Sequence, residues 1–314
     1  MSLLIFHTQH LLDWYKSKKN SINVQTAGTY DSIINHRIIP TLGHVLLSSL
    51  TPILLQNYVN ELHDEGLASA TIKKIYNIVK GSLDFAVDME LLPSNPIKRI
   101  QLPKDKKKEM AVWEVSESLS FLRVAKKARF YIAFHLAITT GMRRGEILGL
   151  RWKDVDFQKG IIYVRQTLSK DGKQFLVGGK TANSVRSIKL SNETLSALHS
   201  QRISVAKEKL QYGAEYKDYD LVVCTTKGTP VNPNNLKRTF TSLKNEANVA
   251  NIRFHDLRHT HATMLLAQGV HAKVISERLG HSNIKFTLDT YSHVLPNMQE
   301  EAAIQMDVLL TDSK

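Results

Sequence analysis

At 314 residues with 42% hydrophobic side chains, the chain is long enough to bury two cores and needs no disulfide or metal to hold either together. Its 42 lysines and arginines against 29 acidic residues leave a net charge of +13, which points to an anionic partner, nucleic acid first among them. A single cysteine, Cys224, excludes an intrachain disulfide, and no apolar run has the length of a leader or a membrane span, so the expected location is cytoplasmic, at the nucleoid, with no membrane partner.

The charge is unevenly shared: residues 1–103 hold 9 basic against 8 acidic side chains, and residues 104–314 hold 33 against 21. Helix signals dominate the first stretch. Leu3 to Lys16 and Thr26 to Ile38 carry apolar positions at helical spacing. Thr51 followed by Pro52 is an N-cap with a proline at the first helical position, and Gly66 closes that helix. Ser69 is read as the cap of the next helix, which runs to about Glu90 and is stopped by Pro93 and Pro96. Four or so helices with short turns make a small all-α module over residues 1–103.

Lys98 to Lys108 reads KRIQLPKDKKK, with six basic residues, one acid and a proline, and no apolar period runs through it. Residues 104–112 are therefore an interdomain linker, either a solvated hinge or a strap along phosphates. Beyond it, residues 113–314 mix elements. An apolar helix from Arg129 to Thr140 ends at Gly141, and a short one follows from Arg144 to Leu150. Runs at Ile161 to Thr167, Gln174 to Val177 and Ser184 to Leu190, with turns at Asp171-Gly172 and Gly178-Gly179, predict a small antiparallel sheet. Helices resume at about Asn192, Asn234, His255, Ala272 and Thr287.

The phosphate loop GxxxxGK[ST], the dinucleotide fingerprint GxGxxG after a strand, CxxC, HExxH and GxSxG are all missing, so nucleotide-driven and zinc chemistry lose their usual signatures. Scattered cationic and tautomeric residues stand out instead. Arg143 directly follows the helix-ending turn at the mouth of the next helix, where free amides already favour an anion, and Glu146 lies one turn on to brace it. In FHDLRHTH, His255 and Arg258 share a helical face at i and i+3. His255 and His259 also have the i, i+4 spacing of a zinc helix. No Glu or Cys ligand accompanies them, however, and an arginine in the same turn repels a cation. His259 and His261 read as core-facing or capping. His281 sits on the turn after Gly280, and Tyr291 lies on the helix that follows, where a tyrosine taken alone is packing.

Taken together, TGMRRGEILGLRW, GGKTANSVRSI, FHDLRHTHAT, ERLGH and TLDTYSHV, in that order, resemble the tyrosine recombinases of the phage integrase family, most closely integrases of Gram-positive phages and integrative conjugative elements. The likeness runs from about His7 through Gln299. It implies a mainly α chain with a small antiparallel sheet (α+β), an α-helical core-binding domain and a mixed catalytic domain, closing together as a clamp on DNA. It implies Tyr291 as nucleophile, Arg143 and Arg258 as the pair gripping the scissile phosphate, and Lys180 as the donor to the departing 5′ oxygen. His255 and His281 hydrogen-bond the phosphate and move protons, and Glu146 is the brace.

The resemblance further implies site-specific strand exchange through a 3′-phosphotyrosine, with no metal, nucleotide or other cofactor. The partners it implies are double-stranded DNA at core-type sites, three further copies joined by exchange of the 296–314 tail, and an accessory directionality factor. Lys73, Lys74, Lys104, Lys106, Lys107 and Lys108 are the expected contacts to DNA phosphates. Many phage-type relatives carry an arm-binding domain ahead of the core-binding module, and the expectation here is either a simpler recombinase or a shortened copy of a longer one. The rival readings are a type IB topoisomerase and a catalytically idle DNA-binding regulator.

Overall fold

The computed structural model describes residues 5–104, 111–178, 185–281, 283–291 and 298–311, and for Tyr291 and several neighbours on the last two helices it describes the backbone alone. The chain divides into two units, Met1–Lys108 and Glu109–Lys314, each with its own apolar core.

The first unit is helical. It runs through α1 (His7–Lys19), α2 (Val24–Ile33), α3 (Ile39–Leu42), α4 (Pro52–Asp64) and α5 (Ser69–Asp88). Thr51 caps α4 as its sequence predicts, its hydroxyl accepting from Leu54 N at 3.3 Å with Pro52 in the first turn, and Gly66 leaves the helix at φ +82°. Leu55, Tyr58, Val59 and Leu62 recur at helical spacing and face a core shared with Ile72, Ile75, Val79 and Leu83 of α5.

Three boundaries differ from the sequence reading. The first helix starts at His7, not Leu3, because the backbone just ahead of it pairs with the 43–47 loop: Phe6 bridges Leu46, and His7 N donates to Val45 O at 2.8 Å. Asn23 caps α2, accepting from Thr26 N three residues on, and the run to Ile38 passes through one π turn, Ile34–Ile38, with both Ile34 and Ile38 fully buried. Ser69 is not a cap. Ala68 takes the extended cap conformation and its carbonyl accepts from Thr71 N and Ile72 N, so Ser69 already lies inside the helix.

The second unit is a helical body with small sheets against it. It begins with α6 (Val115–Ala125), unforeseen in the sequence, which is opened by a reciprocal capping box between Glu114 and Glu117. Next come α7 (Tyr131–Thr140), buried nearly all round, and α8 (Arg144–Leu148). Trp113, Phe121, Phe134 and Phe240 are its largest buried side chains, with Trp113 and Phe134 each packed tilted or edge-on against both Phe121 and Phe240 at about 5 to 6 Å between ring centres.

The strands are β1 (Val155–Asp156), β2 (Ile161–Val164), β3 (Gln166–Leu168), β4 (Phe175–Val177) and β5 (Arg186–Lys189). They form two antiparallel sheets, ordered β1-β2-β5 and β3-β4, where the sequence suggested one. The run Ile161 to Thr167 breaks at Arg165, whose guanidinium lies 4.9 Å from the Tyr163 ring centre and bonds Asp154 at 3.2 Å. The Asp171-Gly172 turn joins β3 to β4, with Gly172 at φ +74°. Gly179, in the second expected turn, lies outside the described residues, as does Ser184.

Among the described residues the strands are followed by α9 (Asn192–Tyr212), α10 (Pro233–Glu246), α11 (Asp256–Ala267), α12 (Ala272–Leu279), α13 (Ile284–Tyr291) and α14 (Met298–Thr311). α13 starts three residues before Thr287, because the Asn283 side chain accepts from Lys285 N at 2.8 Å and sets the first turn there. On α14, Ile304, Met306, Val308 and Leu310 are exposed. Among the described residues no helix is long and apolar enough to cross a membrane.

Candidate active site

Two left-handed glycines set the site. Gly141 ends α7 at φ +64°, and Gly280 ends α12 at φ +69°. Arg143, two residues past the first, holds an extended backbone at the N-cap of α8. Its amide donates to Glu146 Oε2 at 2.8 Å, its Nη1 to Glu146 Oε1 at 2.9 Å, and its Nη2 to the carbonyl of Gly280 at 3.2 Å.

Arg258, in the first turn of α11, is 3% exposed. Its Nη1 donates to Gly141 O at 2.8 Å and its Nη2 to Leu279 O at 2.6 Å. The two guanidinium groups therefore bond neighbouring carbonyls at the C-terminus of α12, the negative end of that helix, which lets two fixed cations stand side by side.

The histidines lie in the field of this pair. Burial, then Arg258 and Arg143, push the His281 imidazole down to about 3, and its Nδ1 is 2.8 Å from the hydroxyl of Thr287, one turn before Tyr291 on α13. Burial and then Arg258 hold His255 below the ordinary histidine value, and its ring stands edge-on to that of His259, 5.4 Å between centres. His259 and His261 are buried, each pushed down to about 4, chiefly by desolvation. The Nδ1 of His261 lies 2.8 Å from Ile138 O and its Nε2 accepts from Arg278 Nε at 3.1 Å, which fixes a neutral tautomer in a structural position.

Burial opposes ionisation of Glu146, yet Arg186 and Arg143 hold its carboxyl at about 2. At neutral pH the site thus presents fixed guanidinium charge, one braced carboxylate and neutral imidazoles. Among the described residues no three His, Cys, Asp or Glu side chains are grouped to hold a metal ion.

The structure brings Arg143, Glu146, His255, Arg258 and His281 together. Lys180 lies outside the described residues, and Tyr291 is the last residue of α13, described by its backbone. Lys73, Lys74 and Lys104 are exposed, the first two on α5; Lys106, Lys107 and Lys108 lie outside the described residues. Sequence reasoning missed Arg186 and Arg278, although both stand inside quoted motifs. Arg186 shares an inward strand face with Ile188, two residues on, and an arginine on such a face needs an acid to meet it.

A family model described as the phage integrase family matches residues 109–298, and another described as the phage integrase N-terminal SAM-like domain matches residues 9–63. A tyrosine recombinase XerC-like protein of Caldanaerobacter subterraneus subsp. tengcongensis is 33% identical over 307 residues, covering 91% of this chain and 77% of its own length. The ICEBs1 integrase of Bacillus subtilis is 30% identical over 286 residues, covering 88% and 76%.

Among solved structures, the Tn1549 transposon integrase in complex with transposon right end DNA matches with a TM-score of 0.82 at 22% identity, over 98% of this chain and 100% of that one. The lambda integrase tetramer bound to a Holliday junction matches at 0.68 and 20% identity, over 92% and 78%. These likenesses show the same fold. The chain belongs to the phage integrase family and is a site-specific tyrosine recombinase.

Proposed function

We propose that Tyr291 attacks a DNA phosphodiester held by Arg143 and Arg258, and that the chain recombines paired core-type sites through the resulting 3′-phosphotyrosine. The observation that carries this reading is the placement of the two guanidinium groups on the neighbouring carbonyls of Leu279 and Gly280. A free tyrosine has a pKa of about 10 and is a poor nucleophile at neutral pH, so its attack needs a proton acceptor and stabilised charge on phosphorus. His255, held below the ordinary histidine value, is the acceptor.

As the Tyr291 oxygen bonds phosphorus, the bond to the 5′ oxygen breaks, and Lys180 gives that oxygen a proton. The two arginines meet the charge on the non-bridging oxygens, a donor of this kind being worth about 3 kcal/mol in the transition state. His281 donates to the same phosphate, with Glu146 bracing Arg143. Attack by a 5′ hydroxyl from another strand reverses each step and seals the DNA, so neither nucleotide nor metal is required.

Residues 1–103 act as the core-binding domain, with Lys73 and Lys74 on phosphates. Residues 104–112, including Lys104, Lys106, Lys107 and Lys108, serve as a basic strap, and residues 113–314 as the catalytic domain. Four copies assemble on DNA by exchanging the 296–314 tail, as the exposed apolar side chains of α14 favour. An accessory factor sets direction.

A nicked suicide substrate tests the core of this reading. The protein accumulates a covalent adduct, and Tyr291→Phe binds the same DNA and forms none. An adduct on Tyr291→Phe moves the nucleophile elsewhere. Relaxation of plasmids that lack paired sites favours a topoisomerase, and no adduct from the unaltered protein favours an idle regulator.

A further inference from the structure

Three successive carbonyls at the end of α12 each accept from a different arginine. Arg186 Nε donates to Arg278 O at 2.8 Å, Arg258 Nη2 to Leu279 O at 2.6 Å, and Arg143 Nη2 to Gly280 O at 3.2 Å. A helix end leaves its last carbonyls without intrahelical donors and carries partial negative charge, so it can seat cations that repel one another elsewhere.

Arg186 has no place in the reaction as proposed. It opens β5, six residues after Lys180, and its side chain is 7% exposed. Its fork meets the Glu146 carboxylate on both oxygens, Nη1 to Oε1 at 3.0 Å and Nη2 to Oε2 at 2.8 Å. The same Oε1 accepts from Arg143 Nη1 at 2.9 Å. Glu146 is therefore clamped between two arginines, one buried and one 39% exposed at the side chain. The guanidinium also packs closely against Gly280: a Cβ there would stand 3.0 Å from Arg186 Cδ and 3.1 Å from its Nη1, and the residue is at φ +69°, so a side chain at 280 is strained and crowds Arg186.

We infer that Arg186 is a positioning residue for strand cleavage, setting the guanidinium of Arg143 by holding both Glu146 and the α12 terminus on which that guanidinium rests. It touches no reacting atom. A carboxylate held by Arg143 alone is free to rotate about its own side-chain bonds and to carry the guanidinium with it; a bidentate fork from the far side removes that freedom. The same three hydrogen bonds tie the strand that follows Lys180 to the arginine pair. Lysine at 186 keeps the charge but loses the planar fork, so it cannot hold both oxygens and the Arg278 carbonyl at once.

The inference rests on the reading of Arg143 as a phosphate-gripping residue, and a double-mutant cycle separates the two. Single-turnover cleavage of the suicide substrate is measured for the full chain, Arg143→Ala, Arg186→Lys and the double variant; the adduct accumulates irreversibly, so slow rates stay measurable. Arg186→Lys is expected to slow cleavage by about 10-fold or more with DNA affinity unchanged, and to add less than about 2-fold on top of Arg143→Ala. Equal slowing in both backgrounds, or a rate unchanged by Arg186→Lys, overturns the positioning role. A rate unchanged by Arg143→Ala overturns the reading beneath it. Should Arg186→Lys fail to fold, Glu146→Gln, which keeps the side-chain shape and removes the charge, enters the same cycle with the same expected outcome.

Discussion

Arg258 Nη1 donates to the carbonyl oxygen of Gly141 at 2.8 Å, so the second arginine is fastened to the turn that launches the first. A Cβ on Gly141 would stand 2.5 Å from Leu279 Cδ2 and 2.7 Å from His261 Cδ2, at φ +64°. Gly141→Ala therefore combines backbone strain of about 1 kcal/mol with overpacking of about 1–3 kcal/mol, and moves the carbonyl that holds Arg258. Gly66→Ala, at φ +82° with open space around it, carries the backbone cost alone. Urea denaturation and cleavage rates of the two variants check this: Gly141→Ala loses more stability than Gly66→Ala and loses cleavage besides, and equal stability losses would show that the packing around Gly141 gives way freely.

Alanine at the two site arginines separates catalysis from stability. Arg258→Ala leaves the carbonyls of Gly141 and Leu279 without these donors in a buried setting and is expected to destabilise by about 2–4 kcal/mol. Arg143 is more exposed, and Glu146 keeps Arg186 when it is removed, so Arg143→Ala stays within about 1 kcal/mol of the parent. Both variants slow cleavage far more than they weaken DNA binding. Parallel losses in the two would reduce the arginines to affinity contacts.

What was legible in the chain was whatever depends on neighbours in sequence. Thr51 with Pro52, and Gly141 and Gly280 at helix ends, announce their turns because cap chemistry is local. Arg143 with Glu146, three residues apart, was readable for the same reason. The Glu114 and Glu117 box that opens α6 rests on the same local chemistry. Other features had no local signal. Arg186 meets Glu146 across 40 residues and Arg278 across 92, and the break of the Ile161 to Thr167 run at Arg165 depends on Asp154, eleven residues back. A partner at that distance is set by how β5 and α12 pack, which periodicity does not encode.

The site histidines make stability fall on the acid side. His259 and His261 are held at about 4 and His281 at about 3, against about 6.5 in an unfolded chain, so the unfolded state binds protons first as pH drops. Their contribution is fully present above pH 6.5 and is lost progressively as pH falls through 6.5 toward the folded values. Glu146, held at about 2, adds a second loss below the ordinary carboxylate range. Urea midpoints measured without DNA between pH 8 and pH 4 are expected to be level at the top of the range and to fall below 6.5. A level profile down to pH 5 would mean that these imidazoles are not kept neutral by the fold.

Cleavage is expected to survive chelation. In the proposed reaction the charge that builds on the non-bridging oxygens is met by guanidinium groups that are permanently protonated and already seated on the Leu279 and Gly280 carbonyls, so no cation has to be recruited. The competing idea is a metal on the His255 and His259 pair. Their rings stand edge to face at an interplanar angle of 89°, with the Arg258 guanidinium lowering the proton affinity of both, and the same repulsion acts on a divalent ion. Suicide-substrate cleavage after exhaustive EDTA treatment is the measurement. An unchanged rate agrees with the arginine pair as the charge sink, whereas a rate abolished by EDTA and restored by added Zn²⁺ would transfer that role to the histidines.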